Sequence, residues 1–317
     1  MTPHFRAGID ENGLGPRLGP LVVTAAVAKI TTPRGLRALA KPPKRLADVL
    51  GDSKDLVGFG ASALGEAWAR ALLARRGVVV RTPAEAIAAI SIDTEATLRA
   101  PCPGVHGAMC WGTDGERFAS DDGLVERLLG EIDALAEDGL EFRDVETSIV
   151  CVDRINRAFR EGTSRLVLDL HAMERLALSA RERIGEDVEV ICGKVGGFDR
   201  YPANFGPLAG RLHATLVEGR AESRYRIPGL GEIAFVRDAD AGDVLVGLAS
   251  LVGKWVRDLA MERINRHHED AGAQVGSANA SGYHDPVTAA FVLRTALVRK
   301  ERGLPDSCFE RERNARG

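Results

Sequence analysis

Cysteine is scarce in this chain: Cys102, Cys110, Cys151, Cys192 and Cys308 are the only five in 317 residues. An odd, scattered set does not make a disulfide framework, and a reducing cytoplasm is the expected setting. A surplus of positive charge is missing too. The 42 Lys and Arg residues face 45 Asp and Glu, for a formal net charge of −3. That excludes a global basic field for nucleic acid and leaves only a local basic face. No uninterrupted apolar run is long enough to span a bilayer, so no membrane partner is expected. Met1 to Ala7 lack the apolar core of a secretory signal. Internal repeats and low-complexity tracts are absent as well.

What is present suits a soluble globular protein: 45% hydrophobic and 27% charged residues, enough to bury an ordinary core. Phe5–Ile9 reads as a strand running into Asp10 and Glu11, and Leu21–Ala28 as a valine-rich second strand. Thr31–Lys54 reads as a loop carrying Arg34, Arg37, Lys41, Lys44, Arg45 and Lys54. Ala61–Arg76 is helical by pattern and ended by Gly77. Val78–Val80 is a third strand candidate, and Ala84–Ile90 a short helix. The irregular stretch Thr97–Ser120 has the look of an insertion. Helices at Gly123–Glu137 and Ser164–Ile184 alternate with strands at Thr147–Val152, Val188–Cys192 and Glu232–Val236. Val244–Met261 is apolar almost all round, which marks a buried helix, and Pro286–Val298 is a last helix. Strands alternating with helices predict an α/β layer fold. Residues 1–264 form its main domain. A C-terminal helical part begins near Asn265, with a charged, mobile tail from Lys300.

The most informative segment is Gly8-Ile9-Asp10-Glu11-Asn12-Gly13-Leu14-Gly15-Pro16-Arg17-Leu18-Gly19-Pro20. Two adjacent carboxylates sit where a strand opens into a glycine-rich turn. Neighbouring side chains on a strand point to opposite faces, so both reach one site only where the backbone twists at the strand end. The glycines after them let backbone amides approach a phosphate or a ribose hydroxyl closely. A dinucleotide-binding loop is the rival reading, but the spacing is not G-x-G-x-x-G and Pro16 and Pro20 obstruct the receiving helix. A plain surface turn with two solvated acids is the bland alternative.

That segment resembles the hallmark of the ribonuclease HII family (type 2 ribonucleases H): Asp-Glu-Ala-Gly-Arg-Gly-Pro, then Gly-Pro and a valine-rich strand. Asp52-Ser53-Lys54-Asp55-Leu56 is similar to the family's Asp-Ser-Lys-Lys-Leu. Asp153-Arg154-Ile155-Asn156 resembles the segment before its long helix. Asp238-Ala239-Asp240, followed by Leu248-Ala249-Ser250-Leu251-Val252-Gly253-Lys254 and Arg257-Asp258, resembles its Lys-Ala-Asp, Ala-Ala-Ser-Ile-x-Ala-Lys and Arg-Asp signature. Ser281-Gly282-Tyr283 falls where the family carries Gly-Tyr. The matches come in family order and span most of residues 5–290. The Cys192–Tyr201 stretch is closer in style to the archaeal and eukaryotic branch.

The resemblance implies a ribonuclease H-like fold, a mixed central sheet flanked by helices with a C-terminal helical extension. It implies that Asp10, Glu11 and Asp240 are catalytic metal ligands for Mg2+ or Mn2+. Two such ions about 4 Å apart stabilise the attacking and leaving oxygens of phosphodiester hydrolysis, and hard cations prefer oxygen ligands. The implied partner is an RNA–DNA hybrid or a ribonucleotide-containing duplex. Gly13, Leu14, Gly15, Ser53, Lys54, Lys254 and Tyr283 would bind it, with glycine amides reading the 2′-hydroxyl. One departure matters most: in register, the family's further strand-end aspartate falls on Gly193, beside Lys194. Leu14 also stands where the family has arginine, and Asn12 where it has a small residue. Asp199 and Asp169, with His171 near the latter, are the candidate substitutes, and surface or helix-cap roles are the simpler reading of all three. Two functions follow: a two-metal nuclease, impaired at Gly193, or a hybrid-binding or complex-forming member of the same fold that does not cut. Cys102, His106 and Cys110 have a C-x3-H-x3-C spacing but lack a fourth ligand in sequence, so scattered cysteines are the simpler reading.

Overall fold

The computed structural model describes residues 2, 4–51, 56–58, 60–102, 109–270, 272 and 279–312. Strand β1 (His4–Asn12) pairs antiparallel with β2 (Leu21–Ile30), setting Asp10 opposite Thr24 and Glu11 opposite Val23. β2 is apolar on both sides because helices cover both faces of the sheet. Val22, Ala26, Ala28 and Ile30 enter one core, and Leu21, Val23, Ala25 and Val27 the other. The expected loop after β2 contains a helix instead, α1 (Pro33–Ala40). Its start is written locally: Thr32 Oγ1 accepts from the Gly35 amide at 3.0 Å and Pro33 occupies the first turn.

Helix α2 (Ala63–Arg75) follows. The strand expected at Val78–Val80 does not form. Gly77 takes φ 75° and the Val78 amide returns to the Leu73 carbonyl at 2.9 Å, so these residues close the helix end rather than join the sheet. Helices α3 (Pro83–Ile90), α4 (Glu95–Arg99) and α5 (Asp122–Glu137) come next. α4 runs into the stretch expected to be irregular from Thr97. Strand β3 (Leu140–Val150) starts well before the expected Thr147. Then come α6 (Val152–Arg160), α7 (Arg165–Ile184) and β4 (Val188–Gly193). β5 (Ala214–Glu218) and β6 (Glu222–Ile227), neither expected, form a hairpin that extends the sheet beyond β7 (Gly231–Val236).

The sheet has seven strands in the order β3-β2-β1-β4-β7-β6-β5, with β1, β4 and β7 mutually parallel. This is the mixed sheet flanked by helices that the motifs imply. A short helix, α8 (Ala239–Gly242), leads into α9 (Val244–Asp270), which runs unbroken through residue 265. Asp243 caps α9, its Oδ1 accepting from the Leu245 amide at 2.9 Å, and its Oδ2 accepts from Arg6 of β1 at 3.0 Å. The expected last helix is two, α10 (Pro286–Arg294) and α11 (Ala296–Glu301), divided at Thr295, whose hydroxyl donates back to the Phe291 carbonyl. The tail is not loose as far as residue 312. α12 (Asp306–Phe309) packs Phe309 into a third core with Leu18, Met261, Ile264 and Phe291.

Candidate active site

Strands β1, β4 and β7 run the same way, so their C-terminal ends meet at one edge of the sheet. Asp10 and Glu11 lie at the end of β1, Gly193 at the end of β4, and Asp240 in α8 just after β7. All four line one open cleft of about 410 Å³. Gly13, Leu14 and Gly15 form part of its wall, and Asp238, Lys194, Ser250, Lys254 and Tyr283 are among the others that line it. The structure thus brings the sequence-predicted carboxylates to one place.

Gly193 sits among the acids. A Cβ built on it would stand 3.1 Å from Asp10 Oδ1 and 3.6 Å from Glu11 Oε2, with no backbone against it. Burial, then the charges of Glu11 and Asp240, push the Asp10 carboxyl well above the usual carboxylate range, against a hydrogen bond from the Ser250 side chain. Ser250 can reach Asp10 because α9 lies directly on β1. A Cβ on Gly8 would come within 2.3 Å of the Val246 nitrogen, so glycine is required at that crossing. Asn12 continues the contact, donating to the Ser250 carbonyl at 3.2 Å. Carboxylates that raise one another favour a cation, and carboxylate and hydroxyl oxygens suit a hard divalent ion. Among the described residues, no three His, Cys, Asp or Glu side chains are already closed into one ion-binding group. The acids share a cleft without being drawn into one coordination sphere.

Asp169 lies on α7, on the opposite side of the sheet from α9. It is fully buried, and neither carboxylate oxygen has a hydrogen-bond partner among the described residues. Burial, then the charges of Glu11 and Asp10, raise its carboxyl well above the usual range. It does not line the cleft. Asp199 is elsewhere. It is exposed and pairs with Lys194 Nζ at 2.8 Å, which holds its carboxyl below the usual range. His171 bonds the Asn204 carbonyl at 3.0 Å. Ser53 and Lys54 lie outside the described residues, as does His106. Arg34 and Arg45, from the expected basic rim, pair with Asp138 and Glu131 and line no part of the cleft. Cys102, Cys110, Cys151 and Cys308 surround a separate small cavity beside Trp111, all as free thiols.

The turn from Gly13 to Gly19 is held from behind by residues that the sequence reading did not connect to it. The Arg17 and Leu18 amides donate to the Gly282 carbonyl at 2.8 and 3.0 Å. Gly282 has φ 83°, and a Cβ there would stand 2.8 Å from the Leu18 carbonyl oxygen. That corner presents Tyr283, half exposed, with its ring 4.6 Å from the Arg257 guanidinium. Arg257 is buried and donates to the Ser281 carbonyl at 3.0 Å. From the tail, Arg311 donates to the carbonyls of Gly13 at 2.6 Å and Gly19 at 2.7 Å. An isolated arginine in a charged C-terminus carries no sequence signal for such a role.

Acids at the C-terminal edge of parallel strands, opposite a glycine-rich turn, define a polar cleft in an α/β fold. No family model and no curated protein matches this chain. Solved structures are similar to it along nearly all of its length. A mutant of Bst-RNase HIII is 16% identical over 96% of this chain and 65% of that one, with a TM-score of 0.45. Bst-RNase HIII in complex with Mn2+ is 14% identical over 98% and 67%, at 0.47. RNase HII from Archaeoglobus fulgidus, solved as a complex with PCNA, is 18% identical over 98% and 95%, at 0.43. This chain spans about two thirds of the length of the first of these.

Proposed function

We propose that this chain is a ribonuclease HII-like, metal-dependent phosphodiesterase directed at the RNA strand of RNA–DNA hybrids or at embedded ribonucleotides, with a catalytic centre weakened at Gly193. One observation carries the reading: Asp10 and Glu11 at the end of β1, Gly193 at the end of β4 and Asp240 in the short helix after β7 line one cleft with the Gly13–Gly15 turn and Tyr283. Asp10, Glu11 and Asp240 would hold Mg2+ or Mn2+. Such ions supply an activated water and neutralise charge on the phosphate. Lys254 offers positive charge to a backbone phosphate, Tyr283 a face for a sugar or base, and the turn its amides for a 2′-hydroxyl. Asp169 is the better placed of the two substitute acids, since Asp199 is engaged by Lys194; it stands behind Glu11 rather than in the cleft. Gly193 favours a second reading, in which the same cleft binds hybrids without cutting them.

Anisotropy with a hybrid and a DNA duplex of the same sequence, in calcium, tests the binding claim. Tighter binding of hybrid is expected, and equal affinity overturns 2′-hydroxyl recognition. Cleavage in Mg2+ or Mn2+, abolished by Asp10→Asn, decides between the enzyme and the binder.

A further inference from the structure

Arg311 is 2% exposed, yet it belongs to a charged tail. Its guanidinium spans the base of the Gly13–Gly19 turn. Nη1 donates to the Gly13 carbonyl at 2.6 Å and to that of Leu14 at 3.3 Å, while Nε and Nη2 both donate to Gly19 at 2.9 and 2.7 Å. The fork is fixed in turn. The Arg311 amide donates to the Arg17 carbonyl at 3.0 Å, and Leu18 bridges Glu310. Asn156 ties the segment to α6, donating to the Ser307 and Glu310 carbonyls and accepting from the Glu312 amide, all within 2.9 Å. Arg17 pairs with Glu310. Five donors in a planar fork suit Arg and no other side chain.

A trans peptide sets its N–H opposite its C=O. Arg311 draws the Gly13 and Leu14 carbonyls inward, to the side away from the cleft. The amides of those same two peptides belong to Leu14 and Gly15, and they turn outward, where both residues line the cleft. We infer that Arg311 is a positioning residue: the C-terminal segment, through this guanidinium, orients the Leu14 and Gly15 amides toward the bound strand. This rests on the hybrid-binding reading and refines it, because the readout then belongs to the amides of Leu14 and Gly15 rather than those of Gly13 and Gly15.

Arg311→Lys and Arg311→Met, in the full chain, test it with two readouts. Lysine keeps the charge but cannot bond Gly13 and Gly19 at once; methionine removes the charge as well. Native-state amide exchange at Arg17 and Leu18, both bonded to Gly282, should quicken at least tenfold in each variant while α5 is unchanged. The ratio of hybrid to duplex affinity in calcium should fall at least tenfold, with duplex affinity held within about twofold. Leu135→Ala, in the remote core, serves as a control that lowers the melting temperature and keeps the ratio. Unchanged exchange and an unchanged ratio in folded Arg311→Lys overturn the inference, and that milder variant decides the matter if Arg311→Met does not fold. Faster exchange in a protein whose parent never prefers hybrid upholds the brace and sinks the proposed function instead.

Discussion

Gly193 lies beside Asp10 and Glu11 with room for a side chain. Its backbone is not in the left-handed region, and an added Cβ meets only the tips of Asp10 and Glu11, so the turn does not need glycine. Gly193→Asp is therefore expected to fold. In Mg2+ or Mn2+ it should hydrolyse hybrid at least tenfold faster than the parent, about 1.4 kcal/mol off the barrier. Without metal a further acid beside Asp10 should lower its melting temperature. Asp169→Asn gives the complementary arm. If Asp169 supports the ion from behind Glu11, the substitution slows the parent and leaves Gly193→Asp fast. A folded Gly193→Asp no faster than the parent would place the block elsewhere, with Lys194 and Leu14 in the cleft wall as the candidates.

Elements differ in how openly the sequence declares them. β1, β2, β4, β7, α7 and α9 were legible because each buries a continuous or periodic apolar face. Their order already put Asp10, Glu11 and Gly193 near strand ends and Asp240 just after β7, and Gly193 lies beside Asp10 and Glu11. β5 was hidden because every residue of it is exposed; it is an edge strand defined by its partner β6 and not by its own pattern. α1 was hidden under its basic residues, although the Thr32 cap and Pro33 were there to read. Val78–Val80 failed for the opposite reason: β-branched residues without a neighbouring strand cannot pair. The fit of α9 on β1 could not be foreseen either, since Gly8 shows its purpose only against the Val246 backbone. Gly8→Ala should therefore cost about 3 kcal/mol, the upper range for overpacking, and move Ser250 off Asp10. Urea unfolding measures the first. A loss below about 0.5 kcal/mol would mean that α9 shifts freely, and that the crossing does not set the site.

The whole molecule is closed by its C-terminal layer, which the sequence presented as an appendage and the structure makes part of the cleft's support. His268, near the end of α9, stands at the centre of that closure. Its ring lies 5.4 Å from Phe291 and 5.3 Å from Phe309, and Nδ1 bonds the Ile264 carbonyl at 2.8 Å. Burial first, then His267, Arg299 and Arg302, push its pKa down to about 4, against the hydrogen bond to Ile264. The unfolded chain takes up this proton near pH 6.5. Between pH 6.5 and about 4 the unfolded state therefore binds more protons at this site, and stability falls as the pH falls. His268 should contribute a loss of about 3 kcal/mol across that window and none of it above pH 7. Opening would begin at the third core, so the amides of Arg17 and Leu18, tied to the same layer through Gly282 and Arg311, should lose protection before those of α5. Melting temperatures at pH 7 and pH 4.5 check the claim against His268→Leu, which cannot titrate. The variant should show the shallower pH dependence; equal slopes in the two proteins would assign the acid sensitivity to other groups, the carboxylates of the cleft first among them.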